Sequence, residues 1–466
     1  MGTPRTLSLA VLSALWLGGC ASFSPDGGLS QIQSTARPHL AQDIVWPRDE
    51  AGRAEVQAHV AALLAQTLSA DDAVQLALLN NPGLQAGFHA LGIAEAERVA
   101  ALRLPNPGIS IGRLRRGSEV EWERSLHLSL AALLTMPMRA DIESRQLEQA
   151  QRALVLVALK LAADTRKAWV MAVAANQSLA YQKQSLDAAE AGAELGRRMV
   201  AAGNWSVLRQ AREQSFQADA SLAMARAEQA QHTARERLIR LLGLHDDSQL
   251  RLPERLPDLP AALPSLPDIE QQAMASRIDL MLARQQTDTL ARHLGLTRRT
   301  RFINVLELGA MNNRSNESPT QRGYEISFEL PLFDWGQSRV AAAQSRYWQA
   351  LEQARDVAVN ARSEVREAQA ARQSRFAIAR HLADEVVPLK QRVSQEVLLR
   401  YNGMLASVFE LLADARAQIA AVNSSLEAQR DFWLADADLQ MVLAGKPSPF
   451  APSSTLSSPA DTAAEH

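Results

Sequence analysis

The stretch from Arg322 to Gly403 constrains the fold of this chain more than any other part of the sequence. It opens with an alternating run that sets apolar residues against polar ones: Tyr324, Ile326, Phe328 and Leu330 against Glu325, Ser327 and Glu329. This period of two is typical of a β-strand with one wet face. From Gly336 to Asn402 the only proline is Pro388, which predicts a helix of about 67 residues, or roughly 100 Å at helical rise. A short strand feeding so long a helix is not the pattern of an enzyme core.

The composition agrees with long packed helices. Aromatic residues make up only 5% of the 466 residues, and the formal net charge is -2. A protein that binds a polyanion needs a basic patch, whereas arginine and glutamate are interspersed here. We therefore expect no nucleic-acid partner.

The N-terminus reads as an address rather than as part of the fold, so residues 1–19 are predicted to be a lipoprotein signal peptide. Leu7 to Leu17 is an apolar run too short to span a bilayer, and Leu-Gly-Gly-Cys ends at the single cysteine of the chain, Cys20. This tetrapeptide resembles the bacterial lipobox, which implies lipid attachment at Cys20. Ala21 and Ser22, in place of an aspartate, imply sorting to the outer membrane, with the rest of the chain extending into the periplasm. The alternative is an ordinary secretory signal whose cysteine is incidental.

The remaining chain divides into an arm, two repeats, a connector and a tail. Residues 20–67 are polar and predict an extended, lipid-anchored arm. The repeats are predicted at 68–243 and 268–443, and five prolines mark 244–267 as a connector between them. Residues 444–466 are rich in serine, proline and alanine and predict a disordered tail.

Each repeat reads as helix, two strands, long helix, tight turn and helix. The strands are predicted within 105–131 and 302–331, and the turns near Gly203 and Gly403. Capping boxes are predicted at Ser69 with Asp72 and at Asp334 with Gln337. The helices that open the repeats are predicted to be continuous, apart from an irregularity at residues 81–83.

A constant offset indicates that the two halves are one unit used twice. Gly203 and Gly403 lie 200 positions apart, and Pro137 and Gly336, where the long helices are predicted to begin, lie 199 apart. Only Gly203 and Asn204 separate the first long helix from the next one. Such a short connection predicts that the two helices double back as an antiparallel hairpin.

The four strands are amphipathic and about as long as a membrane-spanning β-strand. Four strands cannot close into a barrel, so a single chain would leave its edges and an apolar face unsatisfied. We therefore expect a homotrimer that pools twelve strands into a β-barrel in outer-membrane lipids, above long antiparallel hairpins that form an α-barrel. Glu325 and Glu329 would line its bore, although the alternation of the strand alone also explains them. Arg124 interrupts the otherwise apolar face of its strand.

Two segments make a family resemblance specific. ELPLFDWG at residues 329–336 and RYNGMLASVFELLADA at residues 400–415, together with the lipobox and the two repeats, resemble the outer-membrane efflux protein (TolC) family over about Leu68 to Leu443. The resemblance implies a passive exit duct for drugs, metals or other small solutes, from the periplasm to the exterior. It also implies two partners, a periplasmic membrane-fusion adaptor and an inner-membrane transporter.

The same resemblance suggests which residues dock the adaptor at the helix-turn tips. The matching positions are Arg198, Gly203 and Ser206 in the first repeat and Arg400, Gly403 and Ser407 in the second. For each glycine alone, a purely conformational role is as good an explanation, since glycine adopts positive φ without strain.

Acidic residues just beyond the second tip are expected to ring the periplasmic aperture. Family members often place two of them three residues apart, and Glu410 matches the first. The second position holds Ala413, with Asp414 beside it, so this chain departs from the pattern there. A solvated surface charge is the alternative for Glu410.

Chemistry-bearing constellations are what the sequence lacks. No histidine pair has metal-ligand spacing and no glycine-rich phosphate loop occurs, so we expect no catalytic residue, no bound metal and no cofactor. Two other functions stay open. One is a type I protein secretion duct, and the other is a lipid-anchored periplasmic coiled-coil scaffold without a pore.

Overall fold

A computed structural model describes residues 22–245, 250–303, 305–329 and 332–446. The signal peptide at 1–19, Cys20, Pro331 and the tail from 447 onward lie outside the described residues, and so do the predictions made for them.

The described residues form eleven α-helices, one π-helical turn and four strands. The helices are α1 (Leu29–Ala36), α2 (Glu50–Leu64), α3 (Ala70–Asn80), α4 (Pro82–Ala101), α5 (Leu130–Ala201), α6 (Val207–Leu242), α7 (Ile269–Ser276), α8 (Ile278–Thr300), α9 (Gln337–His381), α10 (Val387–Asn402) and α11 (Val408–Ala444). The strands are β1 (Gly108–Arg116), β2 (Glu119–Ser129), β3 (Leu306–Ser315) and β4 (Gln321–Phe328), and the π-helical turn spans Leu382–Val386. The mainly helical fold with a small β part is thus confirmed.

The chain divides into two compact units. The first contains the residues up to Pro38, Gly83–Val157 and Ser276–Ala361, and the second contains His39–Pro82, Ala158–Ala275 and the residues from Arg362 onward. All four strands belong to the first unit. Both helical turns, which follow α5 and α10, belong to the second.

The sheet of the first unit has the order β1-β2-β3-β4, with every neighbouring pair antiparallel. The second hairpin therefore continues the sheet begun by the first, with β2 and β3 as the central pair. The two hairpin turns are joined at one end of the sheet, where Asn316 Oδ1 accepts a hydrogen bond of 2.7 Å from the amide of Val120.

The second unit packs the connector onto its helices. Leu259 and Leu263 lie against a buried cluster on α9 and α11 that includes Phe432. Trp433 Nε1 donates a 3.1 Å hydrogen bond to the carbonyl of Pro257, and the amide of Leu68 donates one of 2.9 Å to the carbonyl of Arg251. Side chains and backbone of the helices thus satisfy polar groups of a segment that its prolines keep out of regular structure.

Two prolines behave differently from the sequence prediction. The long helix α5 begins at Leu130 rather than Pro137, because Ser129 Oγ caps it by accepting a hydrogen bond from the amide of Ala132. Pro137 lies inside the helix. Near Pro388 the amide of Val387 bonds to the carbonyl of Leu382, and this wide turn separates α9 from α10 immediately before the proline.

Other boundaries also differ. The arm predicted to be extended contains α1 and α2. The helix that opens the first repeat is broken at Asn81, within the predicted irregularity at 81–83, whereas the break at Arg277 in the second repeat was not predicted; both residues have an extended backbone. The capping box at Ser69 and Asp72 is confirmed. The capping box predicted at Asp334 and Gln337 is not observed: the Asp334 carboxylate accepts hydrogen bonds from the amide of Gly336, just before α9, and from the hydroxyl of Ser338.

The two tight turns share one hydrogen-bond pattern, but glycine does not occupy the same place in both. The amides of Asn204 and Leu405 each reach back five residues, to the carbonyls of Met199 and Arg400. The residue directly before this amide has the left-handed conformation. It is Gly203 at φ 75° in the first turn and Met404 at φ 61° in the second. Gly403 has φ -81°, so the prediction of a positive φ there was wrong and the turns are offset by 201 positions.

No helix within the described residues has the length and hydropathy to cross a membrane.

This difference between the turns predicts unequal effects of one substitution. Gly203→Ala forces a Cβ into the left-handed region at a cost of about 1 kcal/mol, so amide exchange at Asn204 should accelerate roughly fivefold. Gly403→Ala should leave its turn unchanged, because the nearest atom to the new Cβ is 3.5 Å away. Hydrogen–deuterium exchange of the two turns measures this, and equal acceleration in both would contradict the assignment.

Candidate functional site

The two faces of the sheet differ in chemistry over the part nearest the helices. The strand register places all the apolar side chains of three adjacent rows on one face: Ile109, Leu126, Ala310 and Tyr324, then Leu128, Leu308 and Ile326, then Leu306 and Phe328. Most of these side chains are exposed among the described residues, and Tyr324 is 81% exposed. The other face carries Glu119, Glu121, Glu123, Ser125, His127, Glu307, Glu325 and Ser327. One face suits lipid and the other suits water.

The outer strands of this sheet have open edges. Within the described residues, β1 pairs only with β2 and β4 pairs only with β3. Backbone amide and carbonyl groups along the free sides of β1 and β4 therefore need partners that this sheet does not supply. The open edges and the exposed apolar face together call for further strands of the same kind.

The structure places one predicted bore residue, Glu325, on the polar face of the sheet. Glu325 lies in one row with His127 and Gly309, and Ser327 Oγ donates a 3.3 Å hydrogen bond to its carboxylate. Glu329 follows the end of β4, and its amide bonds to the carbonyl of Val305. Their role in lining a bore stays a prediction.

Aromatic side chains collect where the strands meet the helices. Phe302 and Trp335 form an edge-to-face pair with ring centroids 6.1 Å apart. Trp335 is 56% exposed and Phe333 is completely exposed. Exposed aromatic rings beside an apolar band are typical of a membrane–water boundary.

The predicted docking serines have a structural role at the tips. Ser206 Oγ accepts a hydrogen bond from the amide of Arg209, and Ser407 Oγ accepts one of 3.2 Å from the amide of Glu410. Each serine therefore caps the helix that leaves its turn. These caps and the turn hydrogen bonds fix the backbone of each tip, whereas docking by Ser206 and Ser407 stays a prediction.

The two predicted docking arginines have different surroundings. Arg198 Nε donates a 2.8 Å hydrogen bond to Glu194 Oε1, one helical turn back. That hydrogen bond, with the charge of Arg197, lowers the pKa of the Glu194 carboxyl, so the pair persists until the pH falls below the usual range for glutamate. Arg400 instead lines a groove between α10 and α11.

Apolar side chains at the tips are the feature that the sequence analysis missed. Leu405 is 82% exposed and Met404 is 94% exposed at the second turn, while Val207 and Leu208 are exposed at the first. Large apolar side chains clustered at the outermost point of a hairpin are typical of a contact surface. The sequence did contain a signal for this feature: Val207 and Leu208 follow the capping Ser206, and Met404 and Leu405 come shortly before the capping Ser407.

The predicted aperture residues lie one helical turn apart on α11. Glu410 is exposed and lines the same groove as Arg400, Arg392 and Glu396. Asp414 is half-buried, and its Oδ2 atom has no hydrogen-bond partner among the described residues. The structure thus brings Glu410 and Arg400 together, whereas the family pattern assigns them to separate roles.

One buried ion pair joins the two hairpins below the tips. Arg416 on α11 contacts the carboxylate of Glu213 on α6, which is only 2% exposed. The guanidinium of Arg416 also lies over the ring of Phe216, at 4.4 Å from its centroid. A charge pair shielded in this way fixes the spacing of α6 and α11 just behind the aperture residues.

No cluster of three metal-ligating side chains occurs within the described parts of the chain. The arrangement thus offers two faces of opposite polarity and two capped tips.

Comparisons with known proteins give the fold a context. No protein-family model matches the sequence. The chain is 24% identical over 309 residues to the cobalt-zinc-cadmium resistance protein CzcC of Cupriavidus metallidurans, an alignment that covers 64% of this chain and 68% of that protein.

Three solved structures are similar along most of their length. The outer-membrane channel OprN superposes with a TM-score of 0.68 at 16% identity, covering 92% of this chain and 97% of its own. The outer membrane protein VceC of Vibrio cholerae has a TM-score of 0.66 at 16% identity, with 86% and 99% covered. CusC has a TM-score of 0.64 at 17% identity, with 81% and 92% covered. The chain therefore has the fold of these outer-membrane proteins, and the resemblance to the TolC family is confirmed at the level of the fold.

Proposed function

We propose that this chain is the outer-membrane duct of a tripartite efflux system. Three copies pool their strands into a twelve-stranded barrel, held at the membrane also by lipid on Cys20. The observation that carries this proposal is the four-stranded sheet, with an exposed apolar face, a glutamate-rich opposite face and two open edges. The alternative, a periplasmic coiled-coil scaffold without a pore, does not account for such a sheet.

The duct is passive, so the energy for transport comes from the inner-membrane transporter, linked through the periplasmic adaptor. Among the small solutes considered, the acidic face of the sheet and the name of the relative CzcC favour metal cations. The cation is cargo, and the glutamates of the polar face attract it without holding it.

Native mass and conductance test the proposal together. The full-length protein, extracted from separated outer membranes in mild detergent, should have the mass of three chains and form ion-conducting pores in planar bilayers. A monomer or dimer recovered from the inner membrane or periplasm would favour the scaffold. Export of a protein, rather than a small solute, by cells carrying the complete system would favour the type I secretion duct.

We further propose that Glu410 and Asp414 set the ion preference of the periplasmic aperture. A charge about 4 Å from the path of an ion contributes about 1 kcal/mol in water, or about fivefold, so removing two charges in the double variant Glu410→Gln/Asp414→Asn should lower the cation-to-anion permeability ratio at least fivefold. Reversal potentials across a salt gradient measure this ratio.

The control is Glu385→Gln, which removes an exposed carboxylate from the π-helical turn, away from the tip. An unchanged permeability ratio in the double variant, or an equal change in the control, would show that Glu410 and Asp414 do not set the ion preference of the aperture.

We also propose that the adaptor contacts the apolar tips, with Arg198, Gly203, Ser206, Arg400, Gly403 and Ser407 framing the contact. A buried leucine contributes about 1.5–3 kcal/mol, so Leu405→Asp should weaken adaptor binding about tenfold or more. The pore should still assemble and conduct.

The matched control is Leu222→Asp, on the shaft of α6, where the side chain is 50% exposed. Binding of the purified adaptor to the immobilised trimer measures the effect. Equal binding by the Leu405 variant and the unmodified protein would place docking elsewhere.

A further inference from the structure

The apolar face of the sheet changes character toward its hairpin turns. The three rows nearest the helices are entirely apolar, and the rows nearest the turns carry five arginines that we call the arginine belt: Arg113, Arg115, Arg124, Arg314 and Arg322. The interruption at Arg124 is therefore one part of a continuous feature. No aspartate or glutamate lies on this face of the four strands.

The belt is organised in rows across the strands. Trp122 stands directly between Arg113 and Arg314, and Asn312 stands between Arg124 and Arg322. With strands about 4.8 Å apart, the two arginines of each row are roughly 10 Å apart. The guanidinium of Arg113 lies 5.6 Å from the ring centroid of Trp122, an arrangement that orients it.

The belt arginines are exposed and lack acidic partners. All five are exposed, and within the described chain none of them forms an ion pair with a carboxylate. Arg115 donates a hydrogen bond to the carbonyl of Gly117, which leaves its charge uncompensated. The glutamates of β2 are on the opposite face, across the sheet from these guanidinium groups.

Membrane physics fixes the depth of such a belt. An arginine on the lipid side of a barrel is destabilising by about 2–4 kcal/mol at the bilayer midplane and by about 0–1 near the interface. The apolar rows therefore take the hydrocarbon region, and the belt takes the headgroup level beyond it. Trp122 suits that level, because its ring is apolar and its nitrogen is a donor.

We propose that the arginine belt binds the phosphorylated headgroups of lipids in the outer leaflet. This inference rests on the proposed function, which places the helices in the periplasm and the hairpin turns outside. Guanidinium groups bind phosphate oxygens with two parallel hydrogen bonds, so exposed arginines at headgroup level match phosphorylated lipids better than neutral ones. The belt fixes the height of the barrel in the membrane and surrounds it with retained anionic lipid.

Lipid binding by the purified trimer tests the belt. Native mass spectrometry of the full-length protein in detergent measures retention of bisphosphorylated lipid A, of the same lipid without phosphates, and of inorganic phosphate. We expect phosphorylated lipid A to bind at least tenfold more tightly than the dephosphorylated lipid, and inorganic phosphate not to displace it. Equal binding of both lipids, or displacement by inorganic phosphate, would overturn the proposal.

A matched pair of variants locates the site. One arginine near an anionic surface changes binding about fivefold, so Arg314→Gln should weaken retention of phosphorylated lipid A by that factor. Arg116→Gln should change the retention of phosphorylated lipid A less than twofold. Arg116 also lies near the hairpin turns, but on the polar face of the sheet, where it is paired across the strands with Glu119. An equal loss in both variants would contradict the belt.

Conductance of the same preparations separates this inference from the proposed function. A trimer that conducts ions but binds the two lipids equally would contradict lipid binding by the arginine belt, while the proposed function as a duct would still hold. Should the Arg314 variant fail to assemble, the comparison of lipids on the unmodified protein still decides.

Discussion

The unpaired hydrogen-bonding groups along β1 and β4 set the requirement on which the rest of the structure depends. In lipid no water can satisfy them, and each one left unpaired costs several kcal/mol. The open edges thus demand neighbouring strands, and the exposed apolar face demands lipid around them. In the proposed trimer both demands are met together when the sheets of three chains close into one barrel, so assembly and membrane insertion would be the same physical step.

Much of the fold follows from periodicity alone. The alternation through Tyr324 and Phe328 and the long proline-free run specify strand and helix because burial on one face requires those periods. Periodicity could not predict which group forms a hydrogen bond with each backbone amide or carbonyl at the ends and turns of the helices. Ser129 caps α5 upstream of Pro137, and a wide turn precedes Pro388. In both cases a local hydrogen bond decided the outcome, and it left no repeating pattern in the sequence.

The candidate site shows the same division. Glu325 and Glu329 were placed on the polar face by alternation, which a single strand already reveals. The arginine belt required the register of all four strands, because Arg113 and Arg314 are far apart in the chain and meet only across Trp122. At the second tip, Met404 rather than Gly403 takes the left-handed conformation. A glycine in the sequence marks a residue that can adopt positive φ, but the hydrogen bonds of the turn determine which residue does adopt it.

The wide turn at Leu382–Val386 has a consequence for how such a chain tolerates change. A π-helical turn takes up one additional residue without breaking the helix, so the residues on either side keep the faces they would have in a shorter, regular helix. An insertion elsewhere in α9 or α10 would instead rotate everything beyond it by about 100° and turn buried residues outward. The stretch before Pro388 is thus a place where one added residue need not turn the buried residues beyond it outward.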